Sequence, residues 1–220
     1  MRTLCSFIVS VTFLYSCTKN NNGFVFTEAN YRLEIRGKWQ EPLFTVPPGA
    51  HFTLFAGMVH NENAFLWQAG KLASLGVENI AETGSTPRLF VEMDSIVAAK
   101  NASGLFYFLP PDPTGTVNGN VYCNSSYSYI SFESMIAPSP DWFIGLSSFN
   151  LMNNGQWISD TTINLFAYDA GTEDGDVFGY NNPPTFPQQN ISLLTAANAT
   201  VLANGNNTLA AIASVRLIKQ

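Results

Sequence analysis

Charge is scarce in this 220-residue chain: Asp, Glu, Lys and Arg make up 12% of it, and no two basic residues are adjacent. The formal net charge is −6. Nucleic-acid backbones and anionic lipid surfaces reward clustered positive charge, so neither is expected as a partner. Cysteine and histidine are equally sparse, at three and two. His51, His60 and one spare Cys cannot furnish a zinc centre. Also missing are His-Glu-x-x-His, Gly-x-Ser-x-Gly, a phosphate loop and a dinucleotide fingerprint, so no enzyme is expected. A serine hydrolase or a glycosidase would have to use residues that carry no recognisable motif.

Only one uncharged stretch has the shape of a targeting core, Leu4–Ser16. It is too short to span a bilayer but suits a signal peptide at residues 1–16. It ends Leu14-Tyr15-Ser16-Cys17, which resembles a bacterial lipobox, with Tyr15 bulkier than that pattern prefers. The expectation is lipid on Cys17, a polar spacer over 17–24, and a secreted lipoprotein anchored to the outer membrane of the cell envelope, facing the periplasm or the surface. An ordinary secretory leader ending near a Cys is the alternative. Cys5 leaves with the leader, so Cys123 has no disulfide partner and reads as a small buried hydrophobe. The Asn-x-Ser/Thr sequons at Asn101, Asn124, Asn190, Asn198 and Asn206 read as accidents of an Asn-rich chain.

What is plentiful points to β-structure. There are 17 Phe, 8 Tyr and 4 Trp, with 16 Gly and 12 Pro to form turns. Tyr31, Leu33 and Ile35 alternate with charged neighbours, and Phe52, Leu54, Ala56 and Met58 alternate again. Further strands are expected over residues 105–109, 127–136, 142–151, 158–168 and 211–218. Residues 70–84 are the most helix-like stretch, kept short by glycine, and 90–98 fit strand or helix. Short strands with frequent turns and no internal repeat predict one all-β domain over 25–220. The expected fold is an antiparallel β-sandwich with one or two short helices in its connections.

Asn153-Asn154-Gly155 is a strong turn signal between two apolar runs and predicts a hairpin of residues 142–152 with 157–168. Centred on Gly155, that hairpin sets Asp141 opposite Asp169 and Trp142 opposite Tyr168. Glu173, Asp174 and Asp176 follow in a Gly-rich loop. Five acids thus gather at one end with no Lys or Arg in the loop, an arrangement a divalent cation relieves. Calcium, with several oxygens in a forgiving geometry, suits it better than magnesium. Solvated turn acids are the other reading, and residue chemistry alone leaves both standing.

PSPDWFIGL (138–146) and YDAGTEDG (168–175) resemble the signature of the spondin domain. The likeness extends to AHFTLFAGMVHN (50–61), LWQAGKLASLGVENIAETG (66–84) and the final strand near Arg216. The resemblance implies a C2-like β-sandwich, extracellular placement and a calcium ion held by loop carboxylates. Asp141 and Asp169 match two of the ligands. The third carboxylate aligns with Glu173, with Asp174 beside it. A calcium-binding adhesion or recognition module follows, whose partner is an extracellular or envelope protein or glycan. A carbohydrate-binding sandwich is the second reading. Bracing of the loops is the expected role for calcium, with a bridge to a partner's acid as the alternative. His51 and His60 read as packed or hydrogen-bonded side chains, and the four Trp as core aromatics.

Overall fold

The alternation at Tyr31, Leu33 and Ile35 forms a strand, and all three side chains are fully buried on its inner face. This computed structural model describes residues 26–220. The expected leader, Cys17 and the whole spacer lie outside them. In chain order the elements are β1 (Glu28–Gly37), β2 (His51–Phe52), β3 (Phe55–His60), α1 (Leu75–Thr83), α2 (Pro87–Ala98), β4 (Ala102–Phe108) and β5 (Thr116–Asn124). They continue with β6 (Tyr129–Ala137), β7 (Trp142–Asn150), β8 (Met152–Asn153), β9 (Gln156–Trp157), β10 (Asp160–Leu165) and β11 (Ala167–Asp169). Last come β12 (Ser192–Leu193), α3 (Thr200–Ala203) and β13 (Ala213–Lys219).

Two antiparallel sheets face each other as the sequence predicts. One runs β10-β13-β1-β5; the other runs β12-β11-β7-β6-β3-β4, with β2 paired to β6. Between them lies the main core, where Tyr31, Leu33 and Val215 meet Phe55, Phe132 and Ile144. Its Phe52–Phe55–Phe132 chain of rings packs at centroid distances of 6.1 and 5.9 Å.

Helices α1 and α2 are more than connections: they form a third layer on the outer face of the larger sheet. Ser74 caps α1 by accepting from the Val77 N–H at 3.3 Å, and Gly84 ends it at φ 70°. Pro87 opens α2, where its missing N–H costs nothing. Val77 and Ile80 of α1 and Leu89 and Met93 of α2 bury themselves against Met58 and Phe143 of the sheet. Residues 90–98 are therefore helical. The half-exposed alternation expected from Phe52 to Met58 is replaced by a β3 with all six residues buried. A strand covered on both faces has no reason to alternate.

The predicted turn at Asn154-Gly155 exists, with φ 50° and 74°, but it closes only the small β8–β9 ladder. The long hairpin does not continue from it. β10 crosses to the other sheet and pairs with β13, and only β11 returns to β7. There Asp169 faces Trp142 and Tyr168 faces Phe143, one residue out from the expected pairing. Strand β5 was not expected at all: its TVNGNVYCN sequence hides the pattern under Asn and Gly.

Candidate functional site

The turn from β6 to β7 carries Asp141, and the end of β11 carries Asp169. The Trp142 N–H donates to Ser139 Oγ at 3.1 Å, holding the turn, and the Ala170 N–H donates to the Asp141 carbonyl at 3.1 Å. These bonds bring the PSPDW and DAGT segments side by side. Gly171 then turns the chain at φ 74°, so the following amides face back toward Asp141.

Asp141 is fully buried. Its Oδ2 accepts from the Thr172 N–H at 2.7 Å, the Glu173 N–H at 3.1 Å and Thr172 Oγ1 at 3.2 Å. Its Oδ1 is equally buried and has no hydrogen-bond partner. Burial pushes the Asp141 carboxyl above its ordinary range, against the pull of the Thr172 and Glu173 donors. Asp169 Oδ1 accepts from the Gly171 N–H at 2.7 Å. Burial, and next the Asp141 charge, push Asp169 up to about 6.

Glu173 and Asp174 stand close by but are engaged elsewhere. Glu173 Oε2 accepts from Asn182 Nδ2 at 3.2 Å, and Asp174 Oδ1 accepts from Thr185 Oγ1 at 2.6 Å. Burial first, then the charges of Glu82 and Asp141, raise the Glu173 carboxyl against the Asn182 donor. Asp174 in turn contributes to the shift at Asp169. Asp176 is exposed. Among the described residues, no three His, Cys, Asp or Glu side chains converge tightly enough to hold a metal ion unaided. The loop is pinned by the Asp174, Thr185 and Gln189 N–H groups, each donating at 2.8 Å to the carbonyls of Pro183, Thr172 and Gly171.

Sequence reasoning missed Glu82. It sits in the last turn of α1, where burial raises its carboxyl, eased by the nearby Thr172 hydroxyl and reinforced by the charges of Glu78 and Asp141. A cavity of about 230 Å³ separates Glu78 and Glu82 from Thr172, Glu173 and Thr185. The sequence did contain one signal: an acid in a helix's last turn opposes the helix dipole, which favours a cation there.

Similarity to known proteins agrees with these landmarks. The Spondin_N family model matches residues 29–204, from β1 through α3 and short of β13. The chain belongs to the spondin N family. Spondin-2 of Rattus norvegicus is 30% identical over 185 residues, which is 80% of this chain and 56% of that protein. Spondin-2 of Homo sapiens is also 30% identical, with 55% of its length covered. Spondin-1 of Rattus norvegicus is 30% identical over 177 residues, only 22% of its length. This chain therefore spans about half of one relative and a fifth of the other.

Within this spondin fold, the remaining candidates take structural places. His60 is buried, with Nδ1 bonded to the Asn61 carbonyl at 2.8 Å and Nε2 to Ser131 Oγ at 2.8 Å. Burial holds its pKa below the ordinary value. His51 is an exposed residue whose Nδ1 bonds the Gly49 carbonyl at 2.7 Å. Trp39, Trp67 and Trp142 are core residues, and half-buried Trp157 donates to Thr27 Oγ1 at 3.0 Å. Cys123 is fully buried, which pushes its thiol up to about 12.

Proposed function

We propose that this spondin domain binds one calcium ion through Asp141 and Asp169 and acts as an adhesion or recognition module. Lipid on Cys17 would hold it to a membrane of the cell envelope. The supporting observation is Asp141 Oδ1, a fully buried carboxylate oxygen with no hydrogen-bond partner. Leaving such an atom bare costs about 1–3 kcal/mol or more, a penalty that a cation removes. The surroundings offer only hard oxygen donors, and residues 138–188 contain no Lys or Arg to neutralise them. Calcium takes about six to eight oxygens, so two carboxylates leave room for main-chain carbonyls, water and a third acid. Glu173 is that third acid in our reading, and Asp174 is the alternative. Bound there, the ion would supply charge compensation and bracing to the loops.

The position of the chain's entry supports a recognition role. Thr27, just before β1, donates its N–H to Ser125 Oγ at 3.0 Å, at the end of the sandwich opposite Asp141. Nine residues lie between Cys17 and Thr27. A lipid anchor would leave the carboxylate end pointing away from the membrane, toward an extracellular or envelope protein. Nucleic acid is no part of this reading.

Thermal unfolding with calcium and with a chelator tests it. Calcium at a hundred times Kd should stabilise the native chain by about 2.7 kcal/mol. Asp141→Asn and Asp169→Asn should abolish that response. An unchanged midpoint in the native protein sinks the calcium reading. Mass spectrometry of the membrane fraction tests the anchor: an unmodified Cys17 thiol would overturn it.

A further inference from the structure

Tyr129 and Asn150 face each other at the far end of the β6–β7 ladder, eight positions along β6 from Ala137. At a strand rise of ~3.3 Å, that is about 26 Å from the Asp141 turn. Here a cleft of about 930 Å³ opens between the loop after β3, the β5–β6 turn and the β8–β9 turn. We propose that this cleft binds neutral oligosaccharides.

Its size lies at the upper end of the ~300–1,000 Å³ typical of small-molecule sites. The chemistry of its walls narrows the ligand. Asn63, Asn154 and Gln156 supply amides, Ser126 a hydroxyl and Tyr129 an aromatic ring; Glu62 is the sole charged residue among the lining groups. An anion would meet no Lys or Arg, and an apolar ligand would meet little beyond Met152 and the Tyr129 ring. A sugar hydroxyl both donates and accepts, as does each amide side chain, and a ring such as Tyr129 suits the C–H face of a pyranose. A polycation would have one carboxylate to pair with.

The walls are also held in place before any ligand arrives. The loop after β3, the β5–β6 turn and the bend from β7 into β8 are each fixed by an Asn side chain that accepts a backbone N–H. Asn61 Oδ1 accepts from the Asn63 N–H at 2.9 Å, and Asn124 Oδ1 from the Ser126 and Tyr127 N–H groups at 3.0 and 3.2 Å. Asn150 Oδ1 accepts from the Met152 N–H at 2.9 Å and from Ser128 Oγ at 3.0 Å. The Tyr129 ring is backed by the stacked His60 ring at 5.8 Å, itself anchored to Ser131. Side chains of Asn63, Ser126, Asn154 and Gln156 make no hydrogen bond to other described residues and are exposed. Their donors and acceptors are therefore available at little reorganisation cost.

The cleft shares no residue with the carboxylate end, so its test can run without calcium. The purified protein would be titrated calorimetrically with cellohexaose, maltohexaose, mannohexaose and chitohexaose, with heparin hexasaccharide and spermine as charged controls. At least one neutral hexasaccharide should bind saturably, equally well in chelator. Asn63→Ala and Gln156→Ala should each weaken it about tenfold, the scale of one lost hydrogen bond, with the unfolding midpoint unchanged. The proposal is overturned if no neutral hexasaccharide binds, or if only heparin or spermine does. Binding indifferent to both substitutions, or lost with chelator, would also overturn it by placing the sugar elsewhere.

Discussion

Asp141 and Thr172 divide one buried carboxylate into unlike halves: Thr172 donates twice to Oδ2, while Oδ1 receives nothing. The Thr172 hydroxyl is the weaker of its two donors, and Thr172→Val removes it while keeping the backbone bond. We expect a loss of about 1 kcal/mol in chemical unfolding. The response to calcium should remain, because the bare oxygen is untouched. A variant that no longer responds to calcium would mean that the hydroxyl itself belongs to the ion site.

Asp169 gives the calcium-free protein a pH signature. Its carboxyl is raised from 3.8 to about 6 in the folded state. A raised folded pKa means that the contribution is complete below about 4 and disappears as pH climbs through about 6. In chelator, the native protein should lose up to about 3 kcal/mol relative to Asp169→Asn between those limits. Glu82, Glu133, Asp141 and Glu173 are raised as well and act in the same direction, while Asp160, held down by its hydrogen bonds to Arg216, pulls the opposite way. The comparison with Asp169→Asn removes them from the balance. Calcium should reverse the sign, since the ion favours the ionised carboxylate. Unfolding midpoints at pH 4, 5, 6 and 7, with and without calcium, would show it.

A second buried acid tells a different story. Glu133 lies opposite Gly145 in the β6–β7 ladder, fully buried, and neither carboxyl oxygen has a partner. Burial and then the charge of Glu92 push its carboxyl well above the ordinary range. Glu92 is satisfied, accepting from the Gly76 N–H at 3.0 Å and Ser74 Oγ at 2.6 Å. Glu133 is therefore a buried, unpartnered carboxyl whose surroundings favour the protonated form. Glu133→Met should stabilise the fold by about 1–3 kcal/mol, the cost of an unmet buried polar group. Because the folded pKa is raised, native stability should fall as pH rises, and Glu133→Gln should remove that alkaline decline. Equilibrium unfolding from pH 5 to 9 reads both effects.

The sandwich and the pairing of the PSPDW and DAGT segments were legible in sequence because they rest on local signals. Alternation wrote β1, and two compact motifs marked Asp141 and Asp169. What failed depended on what lies across space. β3 does not alternate because α1 and α2 cover its outer face, a fact no window of its own residues contains. β5 was missed since Gly119 breaks its pattern, and the reason sits on another strand: a Cβ there would collide with the Phe108 ring. The long hairpin failed because β10 finds a better partner in β13. Glu82 was missed because only the folded helix layer brings α1 to Thr172.

Two glycines with the same backbone angle separate local strain from damage to the site. Gly171 and Gly155 both have φ 74°. An L-residue in that region costs about 1–2 kcal/mol at either position. Around Gly155 nothing lies within 4 Å of an added Cβ, whereas at Gly171 the Cβ would press into the Gln189 carbonyl. That carbonyl belongs to the residue whose N–H closes the loop onto Gly171. Gly155→Ala should therefore lose only the backbone penalty and keep its calcium response. Gly171→Ala should lose more stability, because the clash adds to the same strain. It should also lose much of the calcium response, although every carboxylate is still present, because the turn aims the Thr172 and Glu173 amides at Asp141. Equal responses to calcium in the two variants would show that the acids find the ion without that turn.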